Sequence, residues 1–160
     1  MFKQKLKNGK WFSKKIEVKE STVDKEGLGV FATEFIKKYE IFESAPVLVW
    51  HMDLLNDYMR LHQAGHLLSD HVFVWEKSSH ALCLGYGTIY NHSNEPNSKH
   101  RRVFDKNHPR IEFIALKDIQ PGEEIFHHYA PKKGDLFFTD GGTFDYEGVI
   151  DSNEFRKVNS

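Results

Sequence analysis

The chain has 160 residues, of which 39% are hydrophobic and 28% charged, and its formal net charge is -1. This length and composition indicate one soluble globular domain and exclude a disordered chain. The balanced charge is not typical of a dedicated duplex-binding module, so no direct nucleic-acid binding is expected. The single cysteine, Cys83, excludes an intramolecular disulfide and a cysteine-rich zinc site.

The chain has no apolar stretch of membrane-spanning length and no signal-peptide core near its N-terminus. We therefore expect an intracellular protein without membrane contact, cytoplasmic or, in a eukaryotic host, nuclear.

Apolar and polar residues alternate over several short stretches, and this pattern predicts strands at 15–20, 28–32, 39–50, 71–75, 81–84, 99–104, 110–116 and 124–129. Between 53 and 68 the apolar residues recur at near-helical spacing, which predicts one or two short helices with a break at Gly65. Residues 85–97 are rich in Gly, Asn, Ser and Pro, so we expect them to be largely irregular. The predicted fold class is mostly β with a small helical insertion.

A glycine motif near the start, Gly27-Leu28-Gly29 followed by Ala32, partly matches the dinucleotide-binding fingerprint. That fingerprint works only in a strand–turn–helix, where a helix N-terminus faces the pyrophosphate. Here a polar loop precedes the glycines and a β-like segment follows them, which disfavours a Rossmann site. A simple turn, or a close approach of bare backbone to a different cofactor, remains.

Two histidine pairs resemble metal-binding patterns only in part. His62 and His66 have the spacing of H-E-x-x-H zinc proteases, but Gln63 replaces the glutamate that would act as general base. His127 and His128 are adjacent on a predicted strand, where their side chains point to opposite faces. Structural roles are favoured for both pairs, and no metal is expected.

Three further motifs become informative when taken together and in order. They are Gly27-Leu28-Gly29-Val30-Phe31-Ala32, then Tyr90-Asn91-His92-Ser93-Asn94-Glu95-Pro96-Asn97, and then Asp118-Ile119-Gln120-Pro121-Gly122-Glu123-Glu124-Ile125, which leads to Tyr129. This series resembles the motifs of the SET-domain protein-lysine methyltransferases: G-x-G-V-F-A, N-H-S-x-x-P-N, and G-E-E-[LI] running into a tyrosine. Each motif is weak alone, but a chance match of all three in this order is improbable.

The resemblance implies a SET-type fold of several short curved sheets, formed by residues 15–130. Residues 1–14 would be an N-terminal extension, and residues 131–160 an aromatic C-terminal tail that packs on or caps the domain. In this fold the Asn91-His92-Ser93 segment and the Tyr129 segment lie together in a knot-like threading, an exception to the rule against knots.

The resemblance also implies that the cofactor is S-adenosylmethionine. Its binding residues would be Gly27, Leu28, Gly29, Asn91, His92 and Tyr129, with Tyr129 also the catalytic residue. The alternatives are a turn role for Asn91 and an ordinary buried, hydrogen-bonded tyrosine at position 129. The reaction implied is methyl transfer to the ε-amine of a lysine in a protein substrate, a histone or another protein.

The chain departs from the family pattern at several positions. His128 stands where an aspartate often precedes the catalytic tyrosine, and His127 where the family often has Phe or Tyr. We expect His127 and Tyr90 to line the substrate channel, and the histidine leaves the number of methyl groups added open. Asn94 replaces a zinc-binding cysteine, which argues against zinc-bearing flanking modules.

Two alternatives follow from these departures. Aromatic residues of the tail could cover the cofactor, or could only pack on the domain or on a second subunit of a homodimer; the candidates are Phe137, Phe138 and Phe144. The histidines also leave open a catalytically weak SET-like module that binds a protein or chromatin.

Overall fold

The computed structural model describes residues 13–23, 27–54, 71–129 and 157–159, and β-strands dominate this part of the chain. In chain order the strands are β1 (Ile16–Glu20), β2 (Leu28–Ala32), β3 (Ile41–His51), β4 (Val72–Glu76), β5 (Ser79–Cys83), β6 (Asn91–His92), β7 (Ser98–Val103), β8 (Arg110–Ala115) and β9 (Glu124–His127). A 3-10 turn at Tyr86–Thr88 separates β5 from β6. The predicted mostly β fold is confirmed.

The strands hydrogen-bond in the order β1-β2-β9-β7-β8-β3-β5-β4, and β6 pairs with β9. The long strand β3 pairs with two different strands along its length. Its first part, up to Pro46, pairs with β8, and its second part, from Val47, pairs with β5. Because proline has no N–H to donate to a ladder, Pro46 suits the point where the strand leaves one partner for another.

Strand β3 begins at Ile41, two residues later than the sequence pattern predicts. Tyr39 has a φ of 71°, in the left-handed region that a regular strand does not use. Asn159 bridges this point: its Nδ2 donates to the Tyr39 carbonyl at 2.7 Å, and its Oδ1 accepts from the Ile41 N–H at 2.9 Å. The helical turn at 157–159 therefore lies against the start of β3.

The segment 85–97, expected to be largely irregular, contains the short strand β6. Asn91 and His92 pair in parallel with Phe126 and His127 of β9. This pairing joins residues about 35 positions apart. The alternation of apolar and polar residues is a local pattern and therefore could not predict it. The pairing places the N-H-S motif beside the residues that lead into Tyr129. The knot-like threading remains a prediction, because the chain that follows Tyr129 lies outside the described residues.

The core is formed by apolar side chains from almost every strand. Those with no exposed surface are Val30, Ile36, Ala45, Ala81, Ile111, Phe113, Ala115, Ile119 and Ile125. In β8 the successive residues 111–115 are all buried, as expected for a strand covered on both faces. Each large apolar side chain buried in this way contributes about 1.5–3 kcal/mol to folding.

Several predictions fall on residues that the structure does not describe. Of the helical insertion predicted at 53–68, only a helical turn at 52–54 belongs to the described part, and residues 55–70 lie outside it. The same holds for residues 1–12 and for 130–156, which include the tail aromatics. The domain boundaries of the sequence analysis therefore stay predictions.

Candidate active site

Tyr129 lies two residues after the end of β9, and its hydroxyl donates a hydrogen bond to the Tyr90 carbonyl at 2.6 Å. Burial raises the pKa of this phenol, although the residue as a whole is 44% exposed. The hydroxyl is therefore protonated at neutral pH and cannot act as a general base there. Its proton is directed to the Tyr90 carbonyl, so the hydroxyl acts as a hydrogen-bond donor at this contact.

His92 holds the backbone of the same tyrosine. Its Nδ1 accepts the Tyr129 N–H at 3.3 Å, and its Nε2 lies 3.2 Å from Asn94 Oδ1. The two contacts together imply the tautomer with hydrogen on Nε2, because Nδ1 must accept while the amide oxygen needs a donor. The His92 ring also packs against Tyr129 at 5.4 Å between centroids. A side chain of the second sequence motif, His92, thus contacts the backbone of Tyr129, the residue to which the third motif leads.

Asn91 connects this region to β2 through its side-chain amide. Nδ2 lies 2.9 Å from three acceptors: Glu124 Oε1, Ser21 Oγ and the Leu28 carbonyl. Among the described residues no hydrogen bond reaches Oδ1 of Asn91. The three contacts therefore fix the orientation of the amide, with its nitrogen directed into the protein.

Glu124, a residue that the sequence analysis did not single out, lies at the centre of this arrangement. Its carboxylate is 3% exposed and accepts hydrogen bonds from the Thr22 N–H at 2.7 Å, the Thr22 hydroxyl, the Ser21 hydroxyl and Asn91. Burial opposes ionisation, but the hydrogen bonds from Thr22, Asn91 and Ser21 together outweigh it and lower the pKa. The ionised carboxylate ties the 21–22 loop to β9.

The same carboxylate explains why the second glycine of the first motif, Gly29, carries no side chain. A Cβ on Gly29 would lie 2.2 Å from Glu124 Oε1, far inside contact distance. The first glycine, Gly27, gives its carbonyl to the Ser21 N–H at 3.0 Å, and the side chain of Leu28 is exposed. The glycine motif thus lies in β2 and in the loop before it, not at a helix N-terminus, in agreement with the sequence pattern that disfavours a Rossmann site.

Tyr90, predicted to line the substrate channel, has a buried side chain that packs on Phe113 at 4.8 Å between ring centroids. Its hydroxyl donates to Glu43 Oε2 at 2.5 Å. Burial raises the pKa of Glu43, and the hydrogen bonds from Tyr90 and Tyr86 partly offset this. The contact of Tyr90 with Tyr129 runs through its backbone carbonyl, and the channel role of its side chain stays a prediction.

His127, the other predicted channel residue, is buried, and its Nε2 lies 2.6 Å from Nδ1 of His100 on β7. Burial, together with the charges of Arg102 and Lys99, lowers the pKa of His100 to about 4. Burial and the neighbouring histidines lower the pKa of His127 well below its usual value. Both rings are therefore neutral, and one nitrogen of His127 is already engaged within the protein.

Other titratable groups do not form a second reactive centre in the described ranges. Cys83 is buried, and burial together with the charge of Glu43 raises the pKa of its thiol to about 12, so it packs as a small apolar side chain. The described residues contain no group of three His, Cys, Asp or Glu side chains arranged to hold a metal ion. Nor do they include a helix long and apolar enough to cross a bilayer.

Comparison with known proteins gives a consistent set of relatives. The Schizosaccharomyces pombe histone-lysine N-methyltransferase specific for H3 lysine-37 is 29% identical over 106 residues, which cover 66% of this chain and 68% of that protein. A crystal structure of a Plasmodium falciparum protein assigned as a histone methyltransferase has a TM-score of 0.61 at 29% identity and covers 80% of this chain and 100% of that one.

A more distant structural neighbour shares the fold alone. It is a humanized mutant of the Chaetomium thermophilum Polycomb Repressive Complex 2, with a TM-score of 0.59 and 24% identity over 79% of this chain. This chain spans only 16% of the length of that one. The family model of the SET domain matches residues 27–130, a range that contains all three sequence motifs. The predicted resemblance is thus confirmed, and the chain belongs to the SET-domain family.

Proposed function

We propose that this chain is an S-adenosylmethionine-dependent methyltransferase that acts on the ε-amine of lysine in a protein. The main support is one geometric fact: the Tyr129 hydroxyl meets the Tyr90 carbonyl at the point where β6, carrying Asn91 and His92, pairs with β9. A methyltransferase is also the activity named for the S. pombe relative. The predicted enzyme class agrees with both.

The residues near Tyr129 suit the chemistry of this cofactor. S-adenosylmethionine, when bound, supplies a methyl group on a positively charged sulfur, next to an amino-acid end with an ammonium group. Asn91 Oδ1 accepts no hydrogen bond from a described residue and suits an ammonium donor. The side chain of Leu28 is 56% exposed, so an apolar surface is available beside the glycines. We assign cofactor binding to Gly27, Leu28, Gly29, Asn91, His92 and Tyr129.

The chain's own contribution to the reaction is alignment and the exclusion of water. A lysine amine has a pKa near ~10.4 and must be neutral to attack, and a dry apolar channel favours the neutral form. Tyr129, held in place by Tyr90 and His92, places its hydroxyl beside the incoming amine. It orients that amine in line with the methyl group, and such orientation is the main source of rate in a displacement of this kind.

The substrate class that we propose is the lysine of a histone tail. The name of the S. pombe relative specifies one core histone, and the P. falciparum neighbour is assigned to histones in general. An enzyme that acts on histones would be found in the compartments where histones occur, the cytoplasm in which they are made and the nucleus in which they bind DNA. Homodimer formation and the absence of direct nucleic-acid binding remain predictions of the sequence.

The experiment is methyl transfer from labelled S-adenosylmethionine to each of the recombinant core histones in turn, with Tyr129→Phe protein as the matched control. We expect label on a histone with the wild type only, and mass spectrometry then locates the lysine. Cofactor binding by calorimetry without transfer to histones or to lysate proteins would contradict the enzyme and favour the non-catalytic binding module. Transfer to another protein, but not to histones, would contradict only the substrate class.

A further inference from the structure

A buried carboxylate on β3 lies beneath the segment that leads into the candidate active site. Glu43 is 3% exposed; its Oε1 accepts the Tyr86 N–H at 2.7 Å, and its Oε2 accepts the Tyr90 hydroxyl at 2.5 Å. The backbone of Gly85 packs directly on the same group, because a Cβ there would lie 2.2 Å from Oε1. One side chain therefore anchors both ends of residues 85–90.

Tyr90 lies between Glu43 and the hydroxyl of Tyr129 and contacts both. Its ring is enclosed by Phe42, at 6.2 Å between centroids, and by Phe113, at 4.8 Å. Its carbonyl accepts the hydrogen bond from Tyr129 at 2.6 Å. Because the ring and the carbonyl belong to one residue packed on two sides, a shift of the Tyr90 side chain must also move the acceptor that Tyr129 uses.

We infer that Glu43 is a positioning residue that sets the direction of the Tyr129 hydroxyl through Tyr90. The effect on methyl transfer rests on the proposed function. The effect of Glu43 on the orientation of the Tyr129 hydroxyl is independent of that function. A merely structural role for Glu43, as a hydrogen-bonded acid that stabilises β3, predicts lower stability without a specific response of Tyr129. The two roles can therefore be separated by observing Tyr129 itself.

Two variants test the anchor with little change in volume. Glu43→Gln offers one acceptor oxygen to two donors, so either the Tyr86 N–H loses its acceptor or the Tyr90 hydroxyl must turn to accept from the amide nitrogen. Tyr90→Phe keeps the ring and removes only the hydroxyl that contacts Glu43, and it replaces Glu43→Gln if that protein does not fold.

A matched control exists on the neighbouring strand. Glu112 of β8 is also a buried acid, and it lies opposite Ser44 in the register of β3. Its partners are Arg101, at 2.5 Å, and Arg110, at 2.9 Å, and neither belongs to the segment that leads to Tyr129. Glu112→Gln therefore removes a buried negative charge of the same kind without touching the proposed connection.

The first measurement needs no catalytic activity. The six tyrosines are labelled with 13C at Cζ, and the Tyr129 signal is identified by its loss in Tyr129→Phe. We expect Glu43→Gln and Tyr90→Phe to move this signal and to lower its titration midpoint by about half a pH unit, because the neutral phenol loses a well-directed acceptor. Glu112→Gln should leave it in place. A Tyr129 signal unchanged in both test variants would overturn the inference.

The second measurement concerns the rate of transfer. We expect Glu43→Gln to lower kcat about tenfold with little change in the KM for the cofactor, since a small misplacement of a catalytic group costs rate and not binding. In a Tyr129→Phe background the same change should cost almost nothing further. An equal tenfold loss in both backgrounds would show a structural effect and refute the positioning role. If the wild type transfers no methyl group, the proposed function fails, and the tyrosine signal alone decides the role of Glu43.

Discussion

Oε1 of Glu124 lies 2.2 Å from the point where a Cβ on Gly29 would stand, so the carboxylate fills the space that any other residue at position 29 would need. A larger residue at position 29 therefore requires this carboxylate to move, at the expense of its hydrogen bonds to Thr22, Ser21 and Asn91. The glycine motif and the G-E-E motif, at opposite ends of the domain, are two halves of a single contact between β2 and β9.

This contact predicts a specific coupling between the two positions. Gly29→Ala should weaken binding of S-adenosylmethionine about tenfold, because the methyl group displaces Glu124 and with it the partner of Asn91. In a Glu124→Ala background, where the space is empty, Gly29→Ala should cost much less. Calorimetry on the four proteins of this cycle measures the coupling. Equal losses in both backgrounds would indicate that the methyl group collides with the cofactor instead.

A second prediction concerns the two ends of the Asn91 amide. Asn91→Ala should weaken cofactor binding by roughly 1–3 kcal/mol, because it removes both the donor to Glu124 and the amide oxygen that we assign to the cofactor. Asn91→Asp keeps an acceptor oxygen but replaces the NH2 donor with a second oxygen. The new carboxylate then lies beside that of Glu124, and the two like charges repel. We expect Asn91→Asp to lower the unfolding temperature more than Asn91→Ala does. The reverse order in a thermal melt would contradict the geometry described for Nδ2.

The role of the Tyr129 hydroxyl is tested by Tyr129→Phe. This change keeps the ring and its contact with His92, so cofactor affinity and the circular dichroism spectrum should stay close to those of the wild type. The transfer rate should fall by ~10²-fold or more, as expected when a positioned polar group next to the reacting atoms is lost. Single-turnover kinetics with saturating cofactor gives the rate of the chemical step. A variant with wild-type turnover would refute the assignment of Tyr129 as the catalytic residue.

The pair His100–His127 predicts how stability depends on pH. Burial lowers the pKa of His100 to about 4 and lowers the pKa of His127 well below its usual value, whereas the unfolded chain keeps values near ~6.5. As the pH falls from ~6.5 towards ~4, the unfolded chain takes up protons that the folded chain does not. The free energy of unfolding should therefore be greatest above this range and decrease within it.

Urea titrations at about pH 7 and about pH 5 measure this decrease. His100→Gln should make it shallower, because one of the two buried imidazoles no longer titrates in the unfolded chain. The matched control is His108→Gln, since His108 is exposed in the loop between β7 and β8. A slope unchanged by His100→Gln would mean that the pair is already protonated in the folded protein.

The C-terminal tail gives a further prediction in two parts. Truncation after Ala130 should leave a largely folded core with much reduced methyl transfer, because a wet channel leaves the substrate amine protonated. Truncation also removes the two hydrogen bonds of Asn159 to Tyr39 and Ile41. Asn159→Ala in the full chain isolates that loss, and we expect about 1–2 kcal/mol of stability to disappear with transfer retained. A truncated protein that is folded and fully active would exclude any role of the tail in closing the site.

The sequence predicts the strands well, because alternation is a local signal that survives wherever one face of a strand is buried. Its errors are non-local. At the later start of β3, Tyr39 and Ile41 are hydrogen-bonded to Asn159, more than a hundred positions away, and β6 is a strand only through its pairing with β9. Glu124 and Glu43 were missed for the same reason: an acidic residue in a strand is ordinarily a solvent-facing residue, and only the fold shows that both are buried and receive hydrogen bonds.

The parallel pairing of β6 with β9 has a consequence for how the protein is made. Loop-closure entropy must be overcome before contacts between distant parts of a chain become favourable, so pairings of this kind form late in folding. Strand β9 ends at His127, close to the end of the family domain, so a growing chain on the ribosome cannot complete the proposed cofactor site until nearly the whole domain has emerged. We therefore expect nascent chains that stop before β9 to have no affinity for S-adenosylmethionine, even where β3, β5 and β8 have already formed.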